Sequence, residues 1–212
     1  MIDGIFVVGI TGPTGAGKSA AAREFVQNGF FLVDTDVLAR QIVMPDSECL
    51  RELAVEFSDG VLNPDGSLNR RMLAQVAFAS DVSARKLNEI THPYILALSE
   101  QIIKEAAQNG YKAAVIDAAL LFESGGDRLC DRTVCVTAPQ EVRLTRIMKR
   151  DGLDAGDVLA RMAAQQPAEY YRERADYMLD GGGAAEELRR MANKLAAGLL
   201  AGVLAGVLEE RE

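Results

Sequence analysis

Hydrophobic positions along the chain fall into two alternating patterns. Ile5–Ile10 is a β-branched apolar run ending in a glycine cluster, as expected for a strand buried on both faces of a parallel sheet, and Phe30–Val33, Ala113–Asp117 and Thr133–Thr137 show strand character further along. Helix-forming stretches lie between them. Ala20–Gln27 has high helix propensity and meets a C-terminal stop at Asn28-Gly29, and Val37–Val43 reads as a helical turn or two before Pro45. Glu141–Arg150 reads as a helix that runs into a polar loop, Asp151–Asp157. Tyr177-Met178-Leu179 is a candidate last strand, and Gly181-Gly182-Gly183 separates it from a long C-terminal helix. From Ser47 to Asn109 the pattern changes: helical stretches follow one another without a strong strand, divided by Asn63-Pro64-Asp65-Gly66 and by Pro93.

Strands alternating with helices predict an α/β fold with a doubly wound, mainly parallel five-stranded sheet and a helical insertion. The apolar run Leu195–Leu208 carries glycines at 198, 202 and 206. It is too short to span a bilayer, and is expected to be a helix whose glycine face lies close against the sheet or a partner subunit.

Composition narrows the class. A chain of 212 residues accommodates one α/β domain with an insertion, or at most two small domains. With 49% apolar and 25% charged residues it folds around its own core. The net charge of −8 gives no general attraction to nucleic acid or to an anionic membrane, so any bound anion must be held locally. Cys49, Cys130 and Cys135 form no C-x-x-C pair and there is one histidine, which excludes a Cys/His zinc site and points to reduced, buried thiols. The N-terminus has no basic segment followed by a small-residue cleavage site, which points to the cytoplasm.

One motif carries chemistry. Gly12-Pro13-Thr14-Gly15-Ala16-Gly17-Lys18-Ser19 fits G-x-x-x-x-G-K-[ST] and falls between a predicted buried strand and a predicted helix, the context that this phosphate-binding loop requires. Its glycines let backbone N–H groups converge, and the helix that begins near Lys18 adds its positive end. The candidate phosphate contacts are Gly12, Gly15, Ala16, Gly17, Lys18, Ser19 and Ala20. Lys18 is expected on the β and γ phosphates and the Ser19 hydroxyl on Mg²⁺. N-K-x-D is absent, which weighs against a guanine-specific switch.

Other candidates remain open on residue type. Asp34 and Asp36 stand at the carboxyl end of the second strand, where open α/β sheets place ligands; Asp36 is either a proton acceptor for an attacking hydroxyl or the N-cap of the next helix. Asp117 closes an apolar strand, as a metal-side acid or as a turn residue. Arg143, Arg146 and Arg150 share a helical face by spacing, either as a lid over transferring phosphate or as a solvated charged face. These features fit a small-molecule kinase, with a nucleotide-responsive binding protein as the alternative from a different class.

Several separated motifs, in order, resemble the dephospho-coenzyme A kinase family from about Ile5 to Gly183. They are the loop with its strand, Val33-Asp34-Thr35-Asp36-Val37-Leu38-Ala39-Arg40, Gly66-Ser67-Leu68-Asn69-Arg70-Arg71, Thr91-His92-Pro93, Asp117-Ala118-Ala119-Leu120-Leu121-Phe122-Glu123, and Arg146–Asp151 with Arg161 and Gln165. The resemblance implies a P-loop NTPase-type fold and transfer from ATP, with Mg²⁺, to the 3′-hydroxyl of dephospho-CoA. It implies Asp36 as catalytic base beside Lys18 and Arg146, Ser19 and Asp117 toward the metal, and Arg40, Arg70, His92, Leu120 and Arg161 toward the acceptor. It divides the chain into a nucleotide core (1–44, 111–145, 174–212), a helical CoA-binding domain (45–110) and a lid (146–173). Three positions depart from the family pattern: Ala119 replaces a usual proline, and Gly181 and Gly182 stand where asparagine is common near the nucleotide base.

Overall fold

The structure, a computed structural model, describes residues 1–206. Packing divides it into two compact units, residues 1–33 with 102 onward, and residues 34–101. In the first, five strands form one sheet: β1 Phe6–Thr11, β2 Phe31–Asp34, β3 Ala113–Asp117, β4 Arg132–Thr137 and β5 Tyr177–Asp180, in the order β2-β3-β1-β4-β5. β1 pairs in parallel with β3 and β4, and β4 with β5. Every residue of β1 is buried, which is why its sequence runs apolar without alternation. The register sets Ile10 opposite Asp117 and Thr11 opposite Cys135, so the carboxyl ends of three strands meet at one edge.

Helix α1, Lys18–Gln27, buries Ala21, Ala22 and Phe25. The later helix Ala185–Leu204 buries Leu188, Ala192, Ala196 and Leu199, and both join Phe6, Val8, Ile10 and Val134 in the main core. The i, i+4, i+8 spacing of Leu188, Ala192 and Ala196 makes a narrow stripe that lets the two helices lie close. The expectation of a glycine face against the sheet is corrected: alanines supply the close contact there, and a Cβ added at Gly198 or Gly206 meets nothing within 4 Å of this chain. Residues 207 and 208 of that apolar run, and the end of the 174–212 segment, lie outside the described residues.

The second unit begins with α2, Thr35–Gln41, and continues through α3, Glu48–Phe57, and α4, Arg70–Ala77, into α5, Asp81–Gln108, whose last turns belong to the first unit. Its core gathers Ile42, Val43, Cys49, Leu53, Ala54, Val61, Leu73 and Ala77. Because Ile42 and Val43 pack there, the unit starts before residue 45. Asn63–Gly66 does turn the chain, with the Gly66 N–H donating to the Asn63 carbonyl at 2.9 Å. Pro93 does not divide two helices; it lies inside α5, so His92 is an interior helical residue rather than a helix start. A proline removes one helical hydrogen bond. Packing of Leu87, Ile90, Tyr94, Ile95 and Leu98 against the unit's core carries the helix past it.

After β4 come α6, Gln140–Asp151, α7, Ala155–Ala163, and α8, Ala168–Arg172, and the helix Ala185–Leu204 is α9. Gly152 (φ 67°) stops α6, and the Asp154 side chain accepts from the Asp157 N–H at 2.9 Å to start α7. The polar stretch 151–157 is thus a tight helix-to-helix turn, not a loop throughout. Among the described residues no helix is long and apolar enough to cross a membrane.

Candidate nucleotide-binding site

The chain leaves β1 at its carboxyl end and turns through Gly12 (φ 133°), Gly15 (φ 79°) and Gly17 (φ 112°) into α1. At Gly12 the requirement is steric as well as torsional, because a Cβ there would overlap the Val136 carbonyl oxygen. Helix α1 starts at Gly17 without a side-chain cap and with no acidic residue in its first turn. No side chain therefore competes with an anion for the leading N–H groups, of which that of Ala20 turns back to the Gly17 carbonyl at 3.0 Å. Lys18 Nζ donates to the Gly12 carbonyl at 2.9 Å, which folds the ammonium back over the loop. The Thr14 N–H donates to Gln165 Oε1 at 3.0 Å. Beside the loop opens a cleft of about 410 Å³ lined by Thr14, Gly15, Gly17, Lys18, Ser19 and Ala20 and, from α6, by Arg146, Ile147 and Arg150. That volume suits a small organic ligand.

Arg146 is where the spacing pattern put it, and the structure adds its partners. Nη1 donates to the Gly15 and Ala16 carbonyls, each at 3.4 Å, and Nη2 to the Gly183 carbonyl at 3.3 Å. One guanidinium so ties the phosphate loop to the 181–183 loop. Gly181 has a steric reason of its own, since a Cβ there would overlap the Ala16 carbonyl oxygen. The other two arginines of that helical face do not share its role. Arg150 grips Asp151 at 2.7 and 3.0 Å, Arg161 adds a third bond to Asp151 at 3.1 Å, and these bonds, Arg150's first, hold that carboxyl below its usual range. Arg143 turns inward: its Nε is buried with no partner, and desolvation lowers its pKa. The three share a helical face by spacing, but their partners and depth differ.

At the same sheet edge Asp117 ends β3, half-buried and in register with Ile10. The Ala118 N–H returns to the Ile10 carbonyl at 3.0 Å, and Thr11 Oγ1 donates to the Ala119 carbonyl at 3.3 Å. These two bonds hold the turn that has alanine instead of proline. Leu120 projects outward, 44% exposed, while Leu121 is buried. Glu123 Oε1 accepts from the Tyr171 hydroxyl at 3.3 Å while Oε2 is buried without a partner, and burial raises this carboxyl's pKa. Cys49, Cys130 and Cys135 are buried free thiols; burial pushes Cys135 up to about 12, outweighing the charge of Lys18. Among the described residues no three His, Cys, Asp or Glu side chains form a metal cluster. A divalent ion here would depend on the Ser19 hydroxyl, Asp117 and oxygens of the nucleotide itself, a hard-oxygen set that suits magnesium.

In the second unit, Asp34 rather than Asp36 caps α2, its Oδ1 accepting from the N–H groups of Asp36 at 2.9 Å and Val37 at 3.2 Å. The capping alternative for Asp36 is thereby removed, and its exposed carboxylate is left available for other chemistry. Arg40 stands exposed in the last turn of α2, and Arg70 opens α4 behind the Asn69 cap. His92 is half-buried in α5, and burial lowers its pKa.

A parallel sheet in the order β2-β3-β1-β4-β5, with an anion-ready glycine loop leading from its buried central strand into α1, defines an α/β protein of the P-loop NTPase type. Residues 6–187 match the model of the dephospho-CoA kinase family, and the chain belongs to that family. A dephospho-CoA kinase of Corynebacterium jeikeium is 42% identical over 87% of this chain and 94% of its own. A protein of Thermus thermophilus with a known crystal structure is 32% identical, with a TM-score of 0.75 over 92% of this chain and 98% of its own. A dephospho-CoA kinase of Campylobacter jejuni, 23% identical, has the same fold, with a TM-score of 0.69 over the same shares.

The structure brings Gly15, Gly17, Lys18, Ser19, Ala20 and Arg146 to one cleft. Gly12 and Ala16 complete the loop through the bonds to Lys18 and Arg146. It also adds Arg23 to the cleft's lining. The available sequence signal was its position four residues after Ser19, one helical turn on.

Proposed function

We propose that this chain transfers the γ-phosphoryl group of ATP to the 3′-hydroxyl of dephospho-CoA, releasing ADP and coenzyme A. The observation that carries the reading is the uncapped N-terminus of α1 within the glycine loop, with Lys18 and Arg146 beside it, in a member of the dephospho-CoA kinase family. Lys18 exchanges its bond to the Gly12 carbonyl for the β and γ phosphates, and the N–H groups of residues 15–20 hold the remaining oxygens, those of Ala16 and Ala20 exchanging their bonds to the Pro13 and Gly17 carbonyls. Arg146 stabilises the charge spread over the phosphoryl group in transfer. Ser19 and Asp117 hold magnesium, which neutralises phosphate charge when bound. Asp36 orients the acceptor hydroxyl and takes its proton as the oxygen–phosphorus bond forms.

Arg40, Arg70, His92, Leu120 and Arg161 serve the acceptor, with segment 45–110 as its binding domain and 146–173 as a lid over the core formed by 1–44, 111–145 and 174 onward. Acting on such soluble metabolites fits a protein that works in the cytoplasm. The test is incubation of the purified chain with MgATP and dephospho-CoA, followed by mass measurement of the product. A product heavier by one phosphate is expected; a folded sample that makes none, and no acceptor-dependent ADP, overturns the reading.

A further inference from the structure

The cleft beside the phosphate loop carries a cation that neither the loop motif nor the lid accounts for. Arg23 lies on α1 one turn beyond Ser19 and lines the same cleft as Lys18, Arg146 and Arg150. The other three are engaged within the protein: Lys18 with the Gly12 carbonyl, Arg146 with the carbonyls of Gly15, Ala16 and Gly183, and Arg150 with Asp151. Arg23 alone of the four has no hydrogen bond or ion pair among the described residues, and its side chain is exposed. In a chain of net charge −8 the overall field opposes a polyanion, so each cation at the cleft counts toward holding one.

We propose that Arg23 is a further nucleotide-binding residue, pairing with the α-phosphate end of the polyphosphate. The assignment rests on the ATP reading above. Its position along the helix selects the phosphate. Lys18 and Ser19, at the first turn, serve the β and γ end, and a helix rises about 6 Å over the four residues from Ser19 to Arg23. The guanidinium therefore starts from a point farther up the wall than the γ-phosphate site. Its forked donors suit two oxygens of one phosphate.

Calorimetric titration of the full chain with MgATP, MgADP and AMP, without acceptor, tests this. Arg23→Ala is expected to weaken all three by about fivefold, the scale of a charge-assisted bond at an exposed site. Arg23→Lys restores part of the loss, and the melting temperature of the unliganded chain does not change. A purely solvated arginine would leave all three affinities unaltered, which overturns the assignment. A loss confined to MgATP overturns it too, because it places the charge at the γ end. An unsubstituted chain that binds none of the three overturns the ATP reading along with it, so the two failures are distinct.

Discussion

Asp34 and Asp36, two residues apart, are committed differently. The first spends a carboxylate oxygen on two backbone N–H groups at the start of α2, and the second is exposed within the first turn. Substitutions should separate them. Asp36→Asn is expected to lower kcat by about 10²–10⁴-fold while MgATP still binds, measured by steady-state kinetics beside a nucleotide titration; unchanged turnover removes the base assignment. Asp34→Ala should instead cost about 1 kcal/mol of stability through loss of the cap, read in denaturant unfolding. Lys18→Ala should abolish most of the transfer by removing the charge nearest the γ-phosphate, leaving the melting temperature close to that of the parent. Full activity in that variant would overturn the loop's role.

At the scale of elements, β1, β3 and β4 were legible because burial on both faces leaves an unmistakable apolar run, the edge strands β2 and β5 only as short apolar stretches, and the loop because its glycines and lysine have fixed spacing. What escaped depended on partners far away in sequence. Pro93 is a helix breaker by local chemistry, yet α5 passes through it because side chains on either side pack on Leu53, Leu73 and their neighbours. The spacing of Arg143, Arg146 and Arg150 gave a shared face but not depth; Arg143 is drawn inward, its Nε buried. The start of α7 is a cap that a polar stretch can conceal. Asp154→Ala is expected to fray that first turn at a cost of about 1 kcal/mol, visible as faster hydrogen exchange at the α7 amides beyond the first turn, with the exchange of β1 unaltered. Equal protection along α7 would show that Ile147, Val158 and Met162 hold the helix without it.

For the whole molecule, Glu123 sets a pH dependence. Burial raises its pKa in the folded state above the ordinary 4.5, so the folded chain holds this proton more tightly than the unfolded one. Stability is then highest below the ordinary value, declines as pH rises toward the folded-state pKa, and stays reduced above it. Glu123→Gln is expected to raise the melting temperature more at pH 8 than at pH 4, checked by thermal scans at both; an equal shift at the two pH values would assign the gain to packing alone.

The contact between Gly181 and the Ala16 carbonyl fixes more than a shape. The strand that closes the sheet's far edge hands the chain straight onto the back of the anion cradle, with room there for a hydrogen atom and nothing larger. Drift at this codon is therefore coupled to its neighbour: any side chain at 181 requires the backbone at Ala16 to move, and Gly181→Ala is expected to weaken nucleotide retention in a binding titration.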